Sequence, residues 1–141
     1  MAVRRYVLFT AFQILVAGLL LWILARWDTP WNGQRIIGTA LAVVGLSLVG
    51  ISRQQLGRSF AVRAEARELV THGLYSKIRN PVYVFGIVMF TGVVLVMQTP
   101  VLWVALVVMI ICQTIRARRE ARVLETAFGE AYREYRRKTW F

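Results

Sequence analysis

Four apolar stretches, at 6–25, 36–52, 81–97 and 101–115, divide the chain. The first runs 20 residues without a charged side chain, enough at about 1.5 Å per residue to cross a hydrocarbon layer of about 30 Å. The others run 17, 17 and 15 residues. They span if they tilt little and if their flanking arginines reach back to the headgroups. The fourth is predicted to continue as one helix to about residue 127, because neither Gly nor Pro interrupts it before Gly129. Farther on, Ala121, Leu124, Ala127, Phe128, Ala131, Tyr132 and Tyr135 recur at intervals of three and four. That spacing predicts an amphipathic helix at the membrane surface. The pattern therefore predicts an all-α integral membrane protein. About four transmembrane helices, at 6–25, 36–52, 81–97 and 101–127, form one domain over 1–141 with a C-terminal amphipathic cytoplasmic helix.

Composition supports this picture. Of the 141 residues, 57% are hydrophobic, above the 45–50% usual for soluble domains. The formal charge is +11, but the bases flank apolar runs and no RNA-binding or zinc-ligand pattern accompanies them. Anionic lipid headgroups are the expected partner, and nucleic acid is not. The basic residues also orient the chain. Arg26 and Arg35 lie between the first two stretches, and the Gln98-Thr99-Pro100 turn carries no base. The other 16 of 18 precede the first stretch, separate the second from the third, or follow the fourth. Both termini of a multi-pass protein are then expected in the cytoplasm. The first stretch lacks a small-x-small cleavage pattern after it and is read as a retained helix, not a signal peptide. Trp27 and Trp31 suit an aromatic belt at the opposite surface, and Gly38 with Ala42 allows helix 2 to approach a neighbour closely. Cys112 is alone, so no intrachain disulfide forms; its place in an apolar run suggests a small filler.

Chemistry is confined to two cytoplasmic segments, 53–80 and 116–141. In the first, Asn80 suits a helix N-cap and Pro81 the first helical turn. Packing alone does not ask for Tyr75 and Tyr83 on either side of Arg79. In the second, Glu120 lies on the face of Leu124, with Arg116 one turn below it at the membrane boundary, where charge is costly. No glycine-rich strand–turn–helix is present, which excludes a Rossmann-type site.

Taken in order, Leu69-Val70-Thr71-His72-Gly73-Leu74-Tyr75, Arg79-Asn80-Pro81-Val82-Tyr83, Glu120-Ala121-Arg122-Val123-Leu124, Phe128-Gly129, Tyr132 and Tyr135 resemble the isoprenylcysteine carboxyl methyltransferase family. The resemblance extends to the wider set that includes phospholipid N-methyltransferases and covers about residues 56–135. It implies S-adenosylmethionine as cofactor, lined by Leu69, Val70, Tyr75, Asn80, Pro81 and Tyr83. It places Arg116 and Glu120 against a lipophilic or lipidated methyl acceptor, most simply a carboxylate. In this chain Asn80 stands where the family has His, and Ala121 where it has a second Glu. A carboxylate acceptor arrives ionised and needs only orientation by Arg116, itself held by Glu120; an amine must first lose a proton, with Glu120 as base. An N- or S-methyltransferase, an NADPH-dependent membrane reductase and a non-catalytic membrane scaffold are the alternatives. No metal is implied.

Overall fold

The computed structural model describes residues 2–56 and 69–141, in the first helix without the side chains of residues 2–10, 12, 13 and 16. Arg58, Arg63 and Arg67 of the charge pattern lie outside the described residues. The elements are α1 (Ala2–Arg26), α2 (Gly33–Leu56), a 3₁₀ turn at Gly73–Ser76, α3 (Pro81–Met97), α4 (Val101–Phe128) and α5 (Glu130–Lys138). The described residues are helical apart from turns and one isolated parallel bridge between Ile78 and Trp140.

Each helix end has a local cause. Pro81 opens α3, where its missing N–H costs no hydrogen bond. Gln98 closes it in the left-handed region, with its N–H on the Val94 carbonyl. Gly129, at φ +52, separates α4 from α5. α1 and α2 run past their apolar stretches into polar residues at both ends. A helix entering or leaving an apolar layer keeps its own hydrogen bonds until water can replace them.

Among the described residues, two helices, Gly33–Leu56 and Val101–Phe128, are long and apolar enough to cross a membrane. Only 28% and 11% of their apolar windows are buried. Val104, Val107, Val108 and Ile111 on α4 face outward, as does Cys112, so it does not fill a core. An outward apolar surface of this extent suits hydrocarbon, not water. Ala17–Arg26 and Pro81–Met97 are shorter apolar helical segments.

α3 sits at the centre, with Val94 and Val96 fully buried. Its seam with α2 is built from small residues. A Cβ on Gly92 would lie 2.3 Å from the Ala42 nitrogen and 2.5 Å from the Gly38 oxygen; one on Gly45 would lie 2.5 Å from the Met89 nitrogen. The expected close approach of Gly38 and Ala42 is thus made against α3, and Gly45 extends it by a further turn. α1 is held chiefly at its end, where Leu24 joins Ala42, Val93 and Val96 in a buried cluster.

The turns after α1 and α3 meet. Trp27 Nε1 donates to the Met97 carbonyl at 3.3 Å, Thr29 Oγ1 donates to the Val96 carbonyl at 3.0 Å, and the Asn32 and Gln98 amides bond each other. Arg35, 2% exposed, is not a free charge at this end. Its guanidinium donates to the carbonyls of Thr29 and Leu24 and lies 4.1 Å from the centre of the Trp31 ring.

Candidate functional site

At the opposite end of the bundle, three elements converge on the first turn of α3. Pro81, Val82 and Tyr83 are buried there. Tyr83 is directed towards α4, where its hydroxyl donates to Glu120 Oε1. Glu120 and Ala117 occupy the inward stripe of α4, Ala117 at 6% exposed. The carboxylate therefore enters the bundle because the helix carries it past the last apolar turn on its packed face. Tyr75, 2% exposed, occupies the 3₁₀ turn. Gly73, at φ +59, lets the chain bend into that turn against Gln55 of α2, whose Oε1 accepts from the Leu74 N–H at 2.7 Å. The half-buried Arg53, at the end of α2, lies near the phenols of both Tyr75 and Tyr83. Arg53, Tyr75, Tyr83 and Glu120 thus form one cluster of engaged polar side chains.

α5 closes the cluster from outside. Its sequence separates sharply into a buried pair, Tyr132 and Tyr135, and a charged outer face. Glu125, Glu130, Arg133 and Arg137 are ion-paired on that face, as are Glu134 and Lys138. The Tyr135 hydroxyl donates to the Tyr75 carbonyl at 2.7 Å. Burial pushes the Tyr132 phenol above its ordinary range, a shift opposed by Arg79 and Arg136. The residues after α5 lie alongside the segment leading into α3. The Arg79 N–H donates to the Trp140 carbonyl at 3.0 Å, the Trp140 N–H to the Lys77 carbonyl at 2.7 Å and the Asn80 N–H to the Phe141 carbonyl at 3.1 Å.

The two segments singled out in the sequence therefore meet, through Tyr83 and Glu120. The expected site residues do not all take the expected positions. Tyr75, Pro81 and Tyr83 are buried at the meeting point, and Asn80 is half-buried beside it. Asn80 does not cap α3 through its side chain; the amide instead donates to the Phe141 carbonyl at 3.2 Å. Leu69 and Val70 are half-buried at the start of the loop. Arg116 is exposed and forms no ion pair with Glu120 among the described residues. Its side chain is exposed while Ala117 and Glu120 lie on the inward stripe, and Tyr83 is one group that meets the carboxylate. His72 is exposed.

Arg53 and Gln55 were not distinguishable in the sequence from the basic and polar residues that end any membrane helix. Arg79 stands inside the motif, and its buried Nε has no hydrogen-bond partner among the described residues. No group of His, Cys, Asp and Glu that could hold a metal ion occurs among them.

The cluster offers phenol rings and one carboxylate, which suit a cation, and a buried guanidinium N–H, which suits a carboxylate or hydroxyl oxygen. A model of the phospholipid methyltransferase family matches residues 34–131. No curated protein and no solved structure matches the chain.

Proposed function

The chain belongs to the phospholipid methyltransferase family, which falls within the wider membrane methyltransferase set, and from that premise we propose that it transfers a methyl group from S-adenosylmethionine to the amine of a membrane lipid. The observation that carries the reading is the Tyr83–Glu120 hydrogen bond. It brings a carboxylate to the inner end of the loop that the cofactor would occupy.

When bound, S-adenosylmethionine supplies a methyl carbon already activated by its sulfonium, and the C–S electron pair leaves on sulfur as the new N–C bond forms. Tyr75 and Tyr83 favour the cationic end through their ring faces, an effect worth about 0.5–2 kcal/mol each. Arg79 Nε, with Asn80 beside it, is placed for the cofactor's carboxylate. Glu120 accepts the proton that an ammonium headgroup must lose before its lone pair can attack, and Tyr83 orients that carboxylate. The remaining demand is alignment, which converts a bimolecular displacement into a unimolecular one.

A second reading, methyl transfer to a carboxylate such as that of a prenylated cysteine, is favoured by one observation: the half-buried Arg53 at the end of α2 lies near Tyr75 and Tyr83. It would orient the acceptor in the role that Arg116 does not take. The whole of 1–141 then acts as one unit, crossing the membrane four times with both termini cytoplasmic. The juxtaposed turns at 27–32 and 96–98, at the end opposite Glu120, support that arrangement.

The test uses purified protein in nanodiscs, titrated with S-adenosylmethionine and NADPH. Methyl transfer from labelled cofactor is then followed to phosphatidylethanolamine and to farnesylcysteine. Cofactor binding with labelled phosphatidylethanolamine is expected. Labelling of farnesylcysteine alone selects the second reading. NADPH binding without S-adenosylmethionine binding overturns both.

A further inference from the structure

Among the described residues, the Ser and Thr side chains within the apolar spans are satisfied by their own helix. Thr39, Ser47, Ser52, Thr91 and Thr114 each donate to the carbonyl four residues back, at 2.7–2.9 Å. Gln113 does not. Its amide oxygen is buried and has no hydrogen-bond partner among the described residues. Burying an acceptor without a donor costs stability, and such an atom calls for a partner.

The position of Gln113 indicates what that partner is. Leu106 and Ala117, both 6% exposed, define the inward stripe of α4. Gln113 lies seven residues after the first, four before the second and seven before Glu120. Seven residues of α-helix rise about 10 Å, so Gln113 faces the bundle interior about two turns deeper in the membrane than the carboxylate. An ethanolamine phospholipid with its nitrogen at Glu120 would place the oxygen on glycerol carbon 2 roughly 10 Å away when extended. That oxygen would lie in the direction of the apolar layer.

Resting on the aminolipid reading above, we propose that Gln113 is a specificity-determining residue that accepts a hydrogen bond from a free hydroxyl at the glycerol level of the acceptor. The protein then prefers a single-chain aminophospholipid over its diacyl counterpart. In the diacyl lipid the same oxygen is an ester, which has no hydrogen to donate and would leave the amide oxygen unpaired. Discrimination by loss of one buried hydrogen bond is worth about tenfold.

The experiment measures kcat/KM for lysophosphatidylethanolamine and diacyl phosphatidylethanolamine with full-length protein and with Gln113→Met, which keeps the length of the side chain without its amide. S-adenosylmethionine affinity and thermal unfolding without acceptor are measured in parallel. The wild-type protein is expected to favour the lyso lipid by about tenfold. In Gln113→Met that ratio falls to about one, cofactor affinity is unchanged and the midpoint of unfolding rises. A lower midpoint would mean that the amide already has a partner, and would overturn the inference. So would an unchanged ratio in the variant or a wild-type preference for the diacyl lipid, which points to an amide turned to donate to the ester. Cofactor binding without methylation of either lipid overturns this inference and the amine reading while leaving a methyltransferase. Absence of cofactor binding overturns the proposed function itself.

Discussion

The α2–α3 seam and the cluster at the first turn of α3 are joined by the same helix but held by opposite means. The seam contains no polar side chain at its closest points. Gly38, Ala42 and Gly45 meet Gly92 and Met89 backbone to backbone, and its strength is dispersion between surfaces with no room for another atom. The cluster has few such contacts and depends on directed bonds: Tyr83 to Glu120, Tyr135 to the Tyr75 carbonyl, Asn80 to Phe141. Steric closeness makes the seam intolerant of added volume and indifferent to pH. Directed bonds make the end of the bundle sensitive to single atoms. A rigid seam thus carries a site whose parts can be changed one at a time.

The most damaging change is expected at the seam. Gly92→Leu places its Cβ against backbone atoms of α2 that cannot move aside, and should cost at least about 3 kcal/mol. Loss of monodisperse protein in detergent is the measurement, with Gly50→Ala, where nothing lies within 4 Å, as the tolerant control. A retained elution profile for Gly92→Leu would show the seam to be softer than its geometry.

At the cluster, Glu120→Gln should lower turnover by about 100-fold or more while cofactor affinity changes little. Arg116→Ala should lower turnover no more than about threefold, the ordinary range for an exposed charge. Equal losses from the two variants would return Arg116 to the chemistry. Between the two lies the effect of Tyr135→Phe, which leaves the Tyr75 carbonyl without its donor at a cost of about 1–3 kcal/mol. Faster amide exchange confined to the 3₁₀ turn and α5 is the expected reading; exchange spreading into α2 and α3 would argue against two separate regimes.

The slightest predicted effect is alkaline. The Tyr132 phenol titrates above its ordinary value of 10.0, chiefly because it is buried. The folded state therefore holds this proton more tightly than the unfolded chain does. Its contribution is fully present below about pH 10 and is lost as pH rises through the elevated folded value. Thermal unfolding of wild type should fall faster over that window than unfolding of Tyr132→Phe. Parallel curves would mean that the phenol is solvated.

Much of the scaffold was legible in the sequence because hydrophobic runs, Pro81 and Gly129 act locally. Each constrains the backbone at its own position whatever packs against it. The α2–α3 seam was half legible: small residues four apart announce a close neighbour but do not say which helix it is. In the candidate site, the motif residues included the loop and the carboxylate that the structure brings together. That Tyr83 meets this carboxylate was not legible, because spacing brings Arg116 within one turn of Glu120, whereas Tyr83 reaches it only once α3 and α4 are packed. Arg53 was hidden for a related reason. Arginines ending membrane helices are common, and one turned inward has the same sequence as one turned to the headgroups. Gln113 gave no signal either, since a lone amide in an apolar run shows its burial only when the helix is packed.

Arg35 bears on how the protein is made. Its carbonyl partners, Leu24 and Thr29, and its aromatic neighbour Trp31 all precede it by 11 residues or fewer. The first two helices thus carry the fastening for their own hairpin. Carbonyls and an aromatic face from the end of α1 and its connecting turn can meet this guanidinium before α3 has been synthesised.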